Sequence, residues 1–247
     1  SGGGRFDLKT GRRINEDIGL DFDAGWDFYL RGGVLTDQFF VGVHVGEIYV
    51  FKRHAGSLKF HKKRDITNWI FDVEILDNHI YVGHPKGMTV LDMNTLETVN
   101  EAHDMKDVIS VGKIENHIAG NSFRGEFIIF KNPESHHTFS LPENQVMSMY
   151  ISFFEGSTAL SSQSAGVLRS DFVKNKGKIT DFYKLSGAVF KTAIHEDDIY
   201  LMTSRTVYRI PKNGQTNLLP KTRLLSVEVN KDSMDFKITF ANKAQQT

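Results

Sequence analysis

The stretch ITNWIFDVEILDNHIYVGHPKGMTVLDMNTLETV, residues 66–99, decides the reading of this chain. One apolar run ends in Asp77-Asn78, a second ends in Gly83, and a third follows Gly87 and closes on a turn at Asn94-Thr95. A short fourth strand completes the unit. Short apolar runs separated by Asn, Asp and Gly are strands joined by tight turns, because these residues accept unusual backbone angles. The unit is a four-stranded antiparallel meander.

The same unit recurs. The turn after the second strand supplies the anchor: Gly42 to Gly46, Gly83 to Gly87, Gly120 to Gly125, Ser161 to Gly166, and Thr203-Ser204-Arg205. From Gly46 the anchors fall at Gly87, Gly125, Gly166 and Arg205, spacings of 41, 38, 41 and 39 residues. A four-stranded propeller blade repeats at roughly 40–45 residues. Each anchor follows an acidic or Asn turn at Asp37-Gln38, Asp77-Asn78, Glu115-Asn116, Glu155-Gly156 or Asp197-Asp198. An apolar first strand precedes each: FYLRGGVL, WIFDVEIL, VISVGKI, VMSMYIS and AVFKTAI. A sixth unit begins with LLSVEVN and FKITF, then the chain ends. The missing outer strands sit at the other terminus, where RFDLKTGRR has the form of VLDMNTLET. Joining them closes a ring and removes exposed sheet edges. The expected fold is therefore an all-β, six-bladed β-propeller whose last blade is shared by the two ends of the chain. Residues 1–4, Ser-Gly-Gly-Gly, have linker composition, and residues 5–247 form one propeller domain.

Composition bounds the function. The chain has 247 residues, with 30 basic against 30 acidic side chains and no cysteine. Disulfides, Cys-ligated zinc, iron–sulfur clusters and thiol nucleophiles are excluded. Charge balance argues against general phosphate-backbone binding, so nucleic acid is not an expected partner. No apolar run approaches 18 residues and no signal peptide is visible, which points to an intracellular, cytoplasmic or nuclear protein with no membrane partner.

At VLDMNTLE the sequence resembles WD-repeat propellers, whose third strand ends in an aromatic-Asp pair before a short turn. Leu91-Asp92 and Phe6-Asp7 stand in that pair, and Ala102-His103-Asp104 stands where the family often has Gly-His. No Trp-Asp dipeptide occupies the expected position, since Trp26-Asp27 opens a first strand instead. Other propeller families, such as citron-homology-like domains, remain open. The resemblance implies a platform for partner proteins, as in ubiquitin-ligase substrate receptors and vesicle or signalling scaffolds.

In such propellers the 2–3 loops and the connections from strand four to the next strand one share the binding face, which loops on a rigid scaffold suit. The first set carries His44, His84, Asn121, Arg124 and Arg205. The second carries His61-Lys62-Lys63-Arg64, Glu101 to Asp107, and Lys221-Thr222-Arg223. Arg and Lys in this number suit an acidic or phosphorylated peptide. Trp26 and Trp69, each leading into a first strand, are candidate interface anchors because Trp is enriched in hot spots. The expected partner-binding set is Trp26, His44, Arg64, Trp69, His84, Arg124, Arg205 and Arg223. No cofactor is expected. No metal site is expected either: His136-His137 would point to opposite faces of a strand, and Asp21 to Asp27 lacks the ligand spacing of a calcium loop. No catalytic motif occurs. The second reading is a propeller hydrolase or lyase using axial carboxylates, with Asp72, Glu74 and Glu228 as its acids. The third is RNA binding through residues 61–64.

Overall fold

The computed structural model of the chain describes residues 5–6, 13–14, 32–54, 57–140, 149–155, 157–163, 166–173, 176–184, 189–195, 198–203, 207–210, 224–229 and 236–240. Within them the secondary structure is all β. A short pair, β1 (Arg5–Phe6) and β2 (Arg13–Ile14), comes first. Four four-stranded antiparallel sheets follow. The first holds β3 (Gly32–Leu35), β4 (Phe39–His44), β5 (Glu47–His54) and β6 (Ser57–Asp65). The second holds β7 (Asp72–Leu76), β8 (His79–His84), β9 (Gly87–Asp92) and β10 (Thr98–Ala102). The third holds β11 (Val108–Ile114), β12 (His117–Ser122), β13 (Glu126–Asn132) and β14 (Ser135–Ser140). The fourth holds β15 (Met149–Glu155), β16 (Thr158–Gln163), β17 (Gly166–Val173) and β18 (Lys176–Lys184). A three-stranded sheet of β19 (Val189–His195), β20 (Asp198–Thr203) and β21 (Val207–Ile210) comes next, then the pair β22 (Leu224–Val229) and β23 (Phe236–Phe240).

Residues 66–99 show how the sequence builds one sheet. Asp77 and Asn78 have φ of 46° and 61°, both left-handed, which is the two-residue turn that matches strand twist. At the end of β9 the Asp92 carboxylate accepts hydrogen bonds from the backbone N–H groups of Asn94 and Thr95, both at 2.8 Å. These bonds hold its carboxyl below the ordinary carboxylate range against a smaller opposing effect of burial. The Asp of the Leu-Asp pair is therefore a turn cap.

Strand β7 begins at Asp72, three residues later than the run WIFDVEIL suggests. Ile70 N–H donates to Val45 O at 2.7 Å and Phe71 N–H donates to Gly83 O at 2.9 Å, so the lead-in is bonded but out of ladder register. The four later sheets slip near the start of their first strands, between Val108 and Ser110, Met149 and Ser152, Val189 and Lys191, and Leu224 and Ser226. Such bulges bend a strand and re-aim its side chains.

The sheets stack through their first strands, β3 on β7, β7 on β11, β11 on β15 and β15 on β19. Strand alternation explains how. Ile80, Val82 and Leu91 face the first sheet in one buried cluster, with Val41, Val43, Ile48 and Val50. Their neighbours Tyr81, Met88 and Val90 face the third sheet in another, with Val108, Ile118 and Phe130. A third cluster joins the third and fourth sheets through Phe127, Ile129, Ala159 and Phe172. In the first three sheets each inner strand is buried on both faces over half its length or more, so it reads as a continuous apolar run. Tyr81 meets Phe130 edge-on at 5.5 Å, and such a pair adds about 1 kcal/mol to its burial.

One expected surface patch has a different role. His61 to Arg64 lie within β6, not in the connection after it. Lys62 donates to Asn94 O at 2.6 Å, and Arg64 donates to Leu96 O and, at 2.6 Å, to Thr98 Oγ1. Lys63 pairs with Glu47 at 3.0 Å. Carbonyls of the β9–β10 turn need partners, and the preceding sheet supplies cations.

Candidate partner-binding face

The 2–3 loops and the lead-ins to the next sheet meet at one end of the stack. Ile66 N–H and Thr67 N–H donate to Gly46 O at 2.9 and 3.3 Å, and Asp107 N–H donates to Pro85 O at 3.0 Å. The packing leaves no room for a side chain at Gly46 or Gly87. A Cβ on Gly46 would lie 1.6 Å from Thr67 O, and one on Gly87, whose φ is +137°, 1.9 Å from Ala102 O. This explains the spacing on which the repeat was read.

At this end the described residues carry large exposed apolar side chains. Trp69 is 38% exposed, Phe123 41% and Val45 36%. Phe123, at the tip of the β12–β13 turn, lies 6.3 Å from Phe71 in an edge-on contact at 81°. Trp69 and Phe71 come from the lead-in to β7, so aromatic side chains of two neighbouring sheets converge. Beneath them is a cavity of about 370 Å³, lined by Gly33, Val43, Trp69, Phe71 and Asp72 among others. A second, more open hollow of about 590 Å³ is bordered by His44, Glu47, Asp65 and Asn68. In it Glu47 accepts from Tyr49 Oη at 2.7 Å and pairs with Lys63. Burial works to raise the Glu47 carboxyl, but the bonds from Tyr49 and Lys63 outweigh it and hold the carboxyl low.

The expected site residues separate into distinct environments. Trp69 is on the exposed aromatic cluster. Arg124 is exposed in the same turn as Phe123, and no carboxylate pairs with it among the described residues. His44 is half-buried, edge-on to Tyr49 at 6.5 Å. Arg64 braces two sheets, as described above. His84 is 2% exposed. Its Nδ1 accepts from Lys86 N–H at 3.2 Å, so Nε2 carries the proton and donates to Thr89 Oγ1 at 2.9 Å. Burial pushes His84 down to about 4, with His103 adding repulsion, so the neutral ring serves the turn and is not displayed on the face. Trp26, Arg205 and Arg223 lie outside the described residues, as does the acidic stretch 21–27. Phe71 and Phe123 are the additions the sequence reading missed. An aromatic at the apex of the polar turn Asn121 to Gly125 was the available signal for Phe123.

Near the first strands, the acids of the second reading are engaged. Asp72 Oδ1 accepts from Val73 N–H at 2.9 Å, and Oδ2 accepts from Val111 N–H, on the next sheet, at 2.8 Å. Burial raises the Asp72 carboxyl to about 6, more than its two backbone bonds lower it, and Glu74 adds repulsion. Glu74 itself lies 3.5 Å from Lys113 Nζ. The side chain of Glu228 lies outside the described residues. Among the described residues no three His, Cys, Asp or Glu side chains converge as metal ligands.

Four-stranded meanders stacked through their first strands define a β-propeller-like fold. Solved structures agree on that fold. A functionally unknown protein from Desulfotomaculum acetoxidans superposes with a TM-score of 0.64 at 12% identity, over 96% of this chain and 74% of that one. The β-propeller domain of Cps50 (Swd1) from Myceliophteria thermophila gives 0.60 at 10% identity, over 86% of this chain and 80% of that one. The extracellular domain of the two component system BT4673 from B. thetaiotaomicron gives 0.61 at 9% identity and 89% of this chain. The present chain spans only 32% of that domain's length. No protein-family model and no curated protein matches the sequence. Among the described residues, no helix is long and apolar enough to cross a membrane.

Proposed function

We propose that the chain is a non-catalytic scaffold that holds a partner protein or peptide on the face formed by its 2–3 loops and sheet lead-ins, as a recognition subunit of a larger intracellular complex. The observation that carries this reading is that Trp69 and Phe123 are exposed at one end of the stack, with Phe123 edge-on to Phe71 and with Trp69 and Phe71 lining a cavity. Water-exposed aromatics are costly in a protein with no use for them, and Trp is the commonest interface anchor. Arg124, exposed beside Phe123, would take acidic or phosphorylated residues of the partner, a role the sequence also suggests for Arg205 and Arg223. The six-bladed ring closed by both termini is part of this reading, because a closed ring gives the face its rigidity. Replacing Trp69 and Phe123 together by Ser tests it. Both are exposed, so the thermal transition should move little, while capture of the native partner from its own cell should fall by about tenfold or more. Unchanged capture would overturn the choice of face.

The hydrolase or lyase reading retains one favourable observation, the raised carboxyl of Asp72. Against it, both Asp72 oxygens accept backbone bonds and Glu74 is engaged by Lys113, as expected of charge neutralisation. An Asp72→Asn variant that abolished turnover of a glycoside or ester substrate by the wild-type chain would favour it.

A further inference from the structure

Asp72 is a partly buried acid with little obvious compensation. Its oxygens are positioned by two backbone N–H groups, one from each of two sheets, but no Lys, Arg or His lies within ion-pair range among the described residues. The nearest cation on the neighbouring strand, Lys113, is engaged by Glu74 instead. Glu74 lies two residues along β7 and adds negative potential rather than relieving it. A carboxylate taken out of water without a counter-cation is expensive, and proteins usually supply one. Here Asp72 itself lines the cavity of about 370 Å³, together with the aromatic residues Trp69 and Phe71. Gly33 and Val43 of the first sheet also line it. Aromatic faces attract cations and a fixed carboxylate accepts their N–H groups, and the two act together when the site is partly desolvated.

We propose that this cavity takes the cationic side chain, arginine or lysine, of the partner polypeptide, with Asp72 as its counter-ion and the rings of Trp69 and Phe71 as its walls. The inference rests on the partner-binding reading above and specifies its central contact. Arginine is the better fit, because a planar guanidinium both stacks on a ring and donates in parallel to a carboxylate. The partner then has mixed charge, basic at the cavity and acidic at the arginine rim.

The test titrates the full chain, labelled with nitrogen-15, with N-acetyl-arginine methylamide, the lysine equivalent, and the neutral isostere N-acetyl-citrulline methylamide. The indole N–H of Trp69, assigned with Trp69→Phe, is the readout. Saturable shifts at millimolar arginine or lysine, with citrulline weaker by about tenfold or more, are expected. Asp72→Asn should erase that preference. Because Asp72 also links two sheets, Trp69→Leu provides a second variant that leaves the Asp72 bonds in place, and it should weaken the arginine probe by about fivefold or more. Equal binding of arginine and citrulline, or no saturable shift with either cation, would overturn the proposal. The latter result, together with loss of partner capture in the Trp69, Phe123 variant, would remove the cation and leave the binding face. Selective arginine binding with capture unchanged would do the reverse.

Discussion

Two titratable residues, buried His84 and partly buried Asp72, push stability in opposite directions over one pH interval. Asp72 is raised from 3.8 to about 6, so the folded chain keeps a proton that the unfolded chain releases. The stability it contributes is complete below about pH 4 and is lost as pH rises through 6. His84 is lowered from 6.5 to about 4, so its contribution is complete above about pH 6.5 and is lost as pH falls through 4. Each effect is worth about 3 kcal/mol, and between pH 4 and 6 they largely cancel. Urea unfolding of the wild-type chain across that interval should show little dependence attributable to this pair. Asp72→Asn should expose the His84 loss toward acid, and His84→Gln the Asp72 loss toward neutral pH. Parallel profiles for all three proteins would remove both assignments. The sequence could not announce this pair. The His84 bonds to Thr89 and Lys86 are local, but the environment of Asp72 is set by Val111, which lies 39 positions away. Asp92 was more legible, because its partners Asn94 and Thr95 are in the same turn.

At the scale of the element, the repeat was readable because its punctuation is steric. Gly46 and Gly87 stand where the 2–3 turn touches a carbonyl of the following connection, and the carbonyl leaves no space for a Cβ. Replacing Gly87 with Ala should therefore destabilise the second sheet on two counts, backbone angle and clash, by about 3 kcal/mol or more. A midpoint in urea within error of wild type would show that the turn moves aside at little cost. The strand runs were equally legible, because inner strands buried on both faces leave continuous apolar sequence. What periodicity could not supply was the lead-in to each first strand. WIFDVEIL looks like one strand, but Trp69, Ile70 and Phe71 precede the ladder that begins at Asp72, and all three line the cavity. Equally, a run of four basic and imidazole side chains at 61–64 looks like a loop patch. The alternation of a strand divides it, with Lys62 and Arg64 reaching the next sheet and Lys63 reaching Glu47.

At the scale of the whole molecule, the proposed closure of the ring requires the two ends of the chain to share a blade. β1 pairs with β2 as a third strand pairs with a fourth, and β22 pairs with β23 as a first pairs with a second, yet the two pairs stand as separate two-stranded sheets. Two-stranded sheets are marginal alone, so joining them would strengthen both. The register of the second sheet says how they should join. There His79, at the start of β8, faces Asp92, Ile80 faces Leu91 and Tyr81 faces Val90. Phe6-Asp7 matches Leu91-Asp92, and Phe236, opposite Val229, matches His79, opposite Leu76. Transferring the register sets Lys237 against Phe6 and Ile238 against Arg5. Directly opposed antiparallel residues have Cα atoms about 4.5–5.5 Å apart, inside the range a disulfide spans. The chain contains no cysteine, so Arg5→Cys with Ile238→Cys introduces one possible intramolecular pair. Oxidation should give a monomer of altered mobility on a non-reducing gel. Closing so long a loop should raise stability by about 4 kcal/mol, although geometric strain can reduce that gain. A pair one residue out of step, at Phe6 and Ile238, should cross-link more slowly. If neither pair forms an intramolecular bond, the termini do not share a blade, and the face must draw its rigidity from the stacked first strands alone.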